Sequence, residues 1–181
     1  MEQAFARFVE AGFAAVSMQQ IADAAGVTKA TLYHHFQDKE DLFYEVMRIN
    51  SLRSQEKLGQ TVTRDQPLRQ QLVAFGSYLF STERADLNRL FMDLHQHVSE
   101  QRQEAFWGTF ERPWTFLETP LAEAMERGEI AQGDPELIAR VAFSAFAGQM
   151  QIARLSTDIP YPTSTLAERI VDMLLDGLRP R

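Results

Sequence analysis

SMQQIADAAGVTKATLYHHFQDK, residues 17–39, decides the fold. A helix-turn-helix needs two short helices, a tight turn between them, and small residues where they cross. This stretch supplies each. Ser17 and Gln20 stand three apart in a capping box that starts one helix, each side chain meeting an orphan N–H of the other's backbone. Gly26 can take the left-handed conformation that ends it, and Ala22, four residues earlier, leaves room for a crossing helix. Thr28 then caps a second helix and Asp38 a third. The spacing of Ile21, Ala25, Val27 and Leu32 predicts that all four face inward.

The other side of the second helix carries Lys29, Ala30, Thr31, Tyr33 and His34. These groups suit a major groove. A lysine reaches a phosphate or guanine edge, a threonine or alanine meets a thymine methyl or base edge, and a phenol or imidazole donates to phosphate. Lys39 stands at the free N–H groups of the next helix, where a further phosphate would be stabilised. Adjacent His34 and His35 point about 100° apart on a helix, which argues against one shared metal ion.

Outward from this segment the periodicity stays helical, and the chain reads as all-α with about nine helices. Helix 1 is expected over about Glu2–Ala11, ended by Gly12, and helix 4 over Lys39 to about Leu58. Gly59–Gln66 is polar and precedes Pro67, a residue suited to the first turn of helix 5. That places a domain boundary there: residues 1–58 form the helix-turn-helix domain with helix 4, and residues 59–181 a second helical domain. Helix 6 is expected over about Asp86–Val98. Helix 7 follows over about Glu100–Arg127, kinked or broken at Pro113 and Pro120. Asp134-Pro135 opens helix 8, and Thr165-Leu-Ala-Glu168 reads as a capping box opening the last helix.

Composition narrows the function. The net charge of −7 offers no broad basic field; residues 1–58 hold six Lys/Arg against eight Asp/Glu, so DNA binding must rest on a few placed cations and backbone N–H groups. With no cysteine, disulfide and thiolate-metal readings fall away. No signal-like or membrane-spanning run is present, and a cytoplasmic, unanchored protein is expected. No two glycines stand two apart, and neither G-x-S-x-G nor H-E-x-x-H occurs, so an enzyme is not expected and no cofactor is called for.

The run GVTKATLYHHFQDKEDL closely resembles the signature of the tetracycline-repressor (TetR) family of bacterial regulators, and the likeness extends to Phe8, Gly12-Phe13, Ser17 and the ending LLDGLRPR. It implies a one-component regulator, usually a repressor, with double-stranded operator DNA as partner. Ser17, Thr28, Lys29, Ala30, Thr31, Tyr33, His34 and Lys39 are then the candidate DNA contacts, while His35 and Phe36 anchor the recognition helix and helix 4 links the domains. Two departures stand out. Met1 lies where the family's first helix is already under way, so a basic N-terminal arm is expected to be missing, and Val16 replaces a usual Thr.

The same likeness puts a small-molecule effector pocket in the second domain, and the ring content there suggests an apolar or aromatic effector. Its candidate lining is Phe75, Phe91, Leu94, Trp107, Phe110, Trp114, Phe143 and Phe146. His95 and His97 read as solvated or core histidines. The likeness also implies a homodimer through helices 8 and 9, with Ala142, Ala145, Gly148, Ile152, Leu166, Ile170, Leu174 and Leu178 as the interface. The alternative is a helical ligand-binding or interaction protein with weakened DNA binding.

Overall fold

The computed structural model describes residues 1–109, 112–155 and 162–179, and ten helices with no strand are found among them. In order they are α1 (Glu2–Ala15), α2 (Met18–Ala25), α3 (Lys29–His35), α4 (Lys39–Thr61), α5 (Leu68–Leu79), α6 (Thr82–His97), α7 (Glu100–Thr109), α8 (Thr115–Glu126), α9 (Pro135–Leu155) and α10 (Thr163–Gly177). The expected long seventh helix is thus two, parted beside Pro113, whereas Pro120 stays inside α8 without breaking it.

Local chemistry explains the N-terminal helices. Gly12 adopts φ 81° and ψ 162°, so α1 kinks there and resumes for a last turn to Ala15. Ser17 accepts from the Gln20 N–H while Gln20 Oε1 accepts from the Ser17 N–H, completing the capping box of α2. Gly26, at φ 66°, ends α2 in the left-handed conformation, and the Thr28 side chain caps α3 by accepting from the Thr31 N–H.

The chain packs as two compact units. The first joins Met1–Ser54 to Asp86–Glu111, and the second joins Gln55–Ala85 to Arg112–Arg181. This differs from the boundary at residue 58 in a specific way: most of α6, and α7, belong with the N-terminal helices. Burial is the reason. Leu90, Leu94, Val98 and Phe106 share one core with Phe8, Ile21, Phe43, Val46 and Met47, an association between distant segments that turn chemistry at residues 59–66 does not report. The second unit has its own core around Leu72, Phe75, Leu79, Leu117, Leu121, Phe146 and Val171. No helix among the described residues is long and apolar enough to cross a membrane.

The last helix corrects a local expectation. It begins at Thr163 behind Pro162, so Thr165 lies inside its first turn and is not the cap of a Thr165–Glu168 box.

Candidate nucleic-acid interface

Within the first unit, α3 presents its polar side outward. Lys29, Ala30, Thr31, Tyr33 and His34 are all exposed, while Leu32 turns into the core at 8% exposure. Tyr33 is 49% exposed, and the Lys29 ammonium lies 5.7 Å from the centre of its ring. That places a cation, a phenol hydroxyl, a methyl and a threonine on one short helix, the set that phosphate and base-edge contacts require. The helix is held from its start. Besides capping the Thr31 N–H at 3.1 Å, Thr28 shares a 2.8 Å hydroxyl bond with Thr31, which fixes both side chains.

Three candidates have work inside the protein. Ser17 spends its hydroxyl hydrogen on Gln20 Oε1 at 2.9 Å, so it meets a phosphate, itself only an acceptor, by giving that bond up. Thr28 is the cap just described. Lys39 donates to the Phe13 carbonyl at 2.9 Å and the Val16 carbonyl at 3.0 Å, and lies 4.3 Å from the centre of the Phe13 ring. Two of its three N–H donors are therefore engaged, and its first task is to clamp the end of α1 to the start of α4.

Three packing expectations are corrected. Ala25 and Val27 are exposed rather than inward, Val27 at 39%, because α2 ends at Gly26 and helical periodicity does not extend through the turn. Phe36 does pack against the core, but His35 stays exposed, so one residue and not two anchors the end of α3.

The start of α4 gathers a charged cluster that the sequence did not reveal. Asp38 accepts from the Asp41 N–H at 2.7 Å and from Arg102 of α7 at 3.1 Å; Glu40 accepts from both the N–H and the hydroxyl of Ser99, at 2.9 and 2.6 Å. The Asp41 N–H, with Arg102 adding to it, holds the Asp38 carboxyl below the ordinary aspartate range against the opposing effect of burial. Asp93 of α6 accepts from the Phe13 N–H at 2.7 Å. Asp93, Ser99 and Arg102 gave no signal in the sequence, because each acts on a residue 59 or more positions away.

The candidate effector lining is divided between the two units. Phe91, Leu94 and Trp107 lie in the first unit, where Phe91 stacks on Trp107 at 5.5 Å and Leu94 is wholly buried. Phe75, Trp114, Phe143 and Phe146 lie in the second, with Trp114 and Phe143 half-buried at 5.4 Å from each other and Phe75 and Phe146 fully buried. Phe110 falls outside the described residues. A cleft of about 500 Å³ opens elsewhere, between α1 and α2, lined by Arg7, Glu10, Val16, Gln20 and Asp23 among others. His97 stacks on Phe13 and His95 pairs with Gln103, and no group of metal-ligating side chains converges among the described residues.

The dimer candidates also divide. Ala142 and Ile170 are buried in the second unit's own core, and Ala145, Leu166, Leu174 and Leu178 pack against it; Gly148 and Ile152 are exposed. The apolar positions that do face outward on α9 are Leu137, Val141 and Ile152, at 56%, 49% and 54%, joined by Gly148 on the same face and by Met173 of α10 at 68%.

A capped helix, a left-handed glycine turn and a second capped helix with a polar, basic outer side define a helix-turn-helix protein. Residues 1–46 match the family described as bacterial regulatory proteins, tetR family. Over 48 residues the chain is 44% identical to the HTH-type transcriptional repressor KstR2 of Mycobacterium tuberculosis H37Rv, covering 26% of this chain and 24% of that one. The chain's match thus spans about a quarter of the length of such curated relatives. A longer likeness joins it to the protein named probable acrEF/envCD operon repressor of Escherichia coli K12, 28% identical over 162 residues, covering 83% of this chain and 72% of that one. Among solved structures, the TetR-family transcriptional regulator PfmR from Thermus thermophilus has a TM-score of 0.75 and 25% identity, covering 99% of this chain and 98% of that one. The match at residues 1–46 is to the N-terminal domain of the tetR family, and the likenesses that run along nearly the whole chain are to a repressor and a regulator of the same description. The superantigen PfiT has a TM-score of 0.80 at 17% identity, covering 95% and 92%, a likeness of fold alone.

Proposed function

We propose that this chain is a DNA-binding transcriptional regulator acting as a repressor, which reads double-stranded operator DNA with α3 and is released by a small molecule. The observation that carries this reading is the exposed set Lys29, Ala30, Thr31, Tyr33 and His34 on a helix capped at Thr28 and anchored by Leu32. Matching residues 1–46 to the tetR family, and the repressor names of its relatives, support the same role. Lys29 and Tyr33 supply phosphate or base-edge donors, and Ala30 and Thr31 contact base edges or thymine methyls.

Two copies are needed to read two half-sites one turn of DNA apart, about 34–36 Å. The homodimer in this reading uses the outward face of α9, at Leu137, Val141, Gly148 and Ile152, with Met173 of α10, since the large apolar side chains of Leu137, Val141, Ile152 and Met173 are exposed and Gly148 between them lets a second helix approach. The effector is an apolar or aromatic small molecule. Its nearest candidate contacts in the second unit are the half-buried rings of Trp114 and Phe143. Binding of effector and DNA then oppose each other reciprocally, by about 1–3 kcal/mol for such couplings. The protein works in the cytoplasm, without a cofactor and without catalysis.

A mobility-shift titration with DNA from upstream of the protein's own coding region tests the reading. A shift that Lys29→Ala and Tyr33→Ala weaken supports it; no shift at low salt contradicts it.

A further inference from the structure

The kink in α1 frees an amide that α6 then takes up. With Gly12 at φ 81° and ψ 162°, Phe13 N–H donates to Asp93 Oδ2 at 2.7 Å across 80 residues of sequence. Phe13 is held through its backbone and its ring. Its carbonyl accepts from Lys39 at 2.9 Å, the Lys39 ammonium lies 4.3 Å from its ring centre, and the His97 ring stacks on it at 5.5 Å and 17°. Asp93 and His97 stand one helical turn apart on α6, so a single face of α6 addresses this one residue. Four positions beyond Phe13, Ser17 begins the capping box of α2; Lys39, which also binds the Val16 carbonyl at 3.0 Å, begins α4 directly after the recognition helix. The segment that sets where α2 and α3 start is therefore referenced to α6 by the Asp93 carboxylate, which holds its backbone, and by the His97 ring, which stacks on its side chain.

Resting on the DNA-reading function proposed above, we infer that Asp93 is a positioning residue for that function: by accepting the amide freed at the Gly12 kink, it fixes the α2–α3 pair in the orientation that reads sequence. Asp93 touches no DNA. Its contribution is to orientation, so its loss reduces discrimination between sequences more than attraction to phosphates, which any orientation of the cations retains.

The test uses the whole chain and a duplex enriched by the wild type from a random pool, with a scrambled duplex as control. Fluorescence anisotropy is measured for wild type, Asp93→Ala and Asp93→Asn, the last keeping an acceptor oxygen. Asp93→Ala is expected to lose about tenfold or more on the enriched duplex, the scale of one charge-assisted hydrogen bond, and to keep its affinity for the scrambled one. Asp93→Asn restores most of the loss, and exchange of the Phe13 amide hydrogen quickens only in Asp93→Ala. Gly12→Ala, which favours a straight α1 and withdraws the amide from Asp93 into a helical bond, gives the same selective loss on the enriched duplex without faster exchange, and serves if Asp93→Ala does not fold. Faster exchange with unchanged affinity, equal losses on both duplexes, or no rescue by Asn overturns the inference while DNA reading stands. If the wild type enriches no sequence, DNA reading falls and the positioning role falls with it.

Discussion

Gly76 of α5 lies so close under the ring of Phe146 on α9 that a Cβ at residue 76 would overlap the ring's Cε1. Phe146 is fully buried and has Phe75 and Phe80 rings at 6.1 and 5.9 Å, so it has no free space to swing into. Gly76→Ala is therefore expected to destabilise the protein by about 1–3 kcal/mol through overpacking, despite the gain of about 1 kcal/mol that alanine brings to a helix. A lower urea midpoint with an unchanged slope is the expected reading.

Lys39→Met removes two charge-assisted bonds and leaves the Phe13 and Val16 carbonyls without that donor. The expected cost is about 2 kcal/mol of unfolding free energy, because bonds to charged groups are worth about 1.5–3 kcal/mol and this site is partly solvated. Chemical denaturation in the absence of DNA isolates this effect. A variant as stable as the wild type would contradict the clamp assigned to Lys39.

Acid should expose the cap on α4. The Asp38 carboxyl titrates below its ordinary value when folded, so its stabilising effect is complete above the unfolded value of about 3.9 and disappears as pH falls through the lower folded value. Asp38→Ala is accordingly expected to cost about 1 kcal/mol at neutral pH, the usual scale for an N-cap, and progressively less below pH of about 4. Parallel denaturation series at pH 7 and pH 3 measure the difference; a constant gap contradicts the account.

The outward face of α9 makes a separate prediction. Val141→Asp or Ile152→Asp, at 49% and 54% exposure, should leave the fold intact and yield a monomer in light scattering. Ile170→Asp, at 5% exposure in the core, should unfold the second unit instead. Dimers of unchanged strength in both surface variants would remove this face from the interface.

What the sequence disclosed follows the reach of each interaction. Ser17 with Gln20, Gly26, and Thr28 with Thr31 all act within a few residues, and each forms as its spacing implies. Val27 and His35 misled because they sit where a helix has just ended or is about to end, so periodicity no longer says which way they face. The stripe Leu166, Ile170, Leu174 and Leu178 was legible as apolar, but not how far it packs inside the chain: Ile170 is buried, and the other three are partly buried against the same core. The grouping of α6 and α7 with α1–α4 depends on pairs such as Phe13 with Asp93 and Asp38 with Arg102, 80 and 64 residues apart, and no local pattern encodes them.

Selection of duplexes from a random pool, followed by affinity measurement for wild type, Lys29→Ala and Tyr33→Ala at two salt concentrations, tests the central claim most directly. The account predicts an enriched two-fold symmetric sequence. Each substitution should weaken binding by about 1–3 kcal/mol, with a shallower salt dependence for Lys29→Ala if that side chain meets a phosphate. Enrichment of no sequence by the folded wild type, or identical affinities in all three proteins, would contradict it.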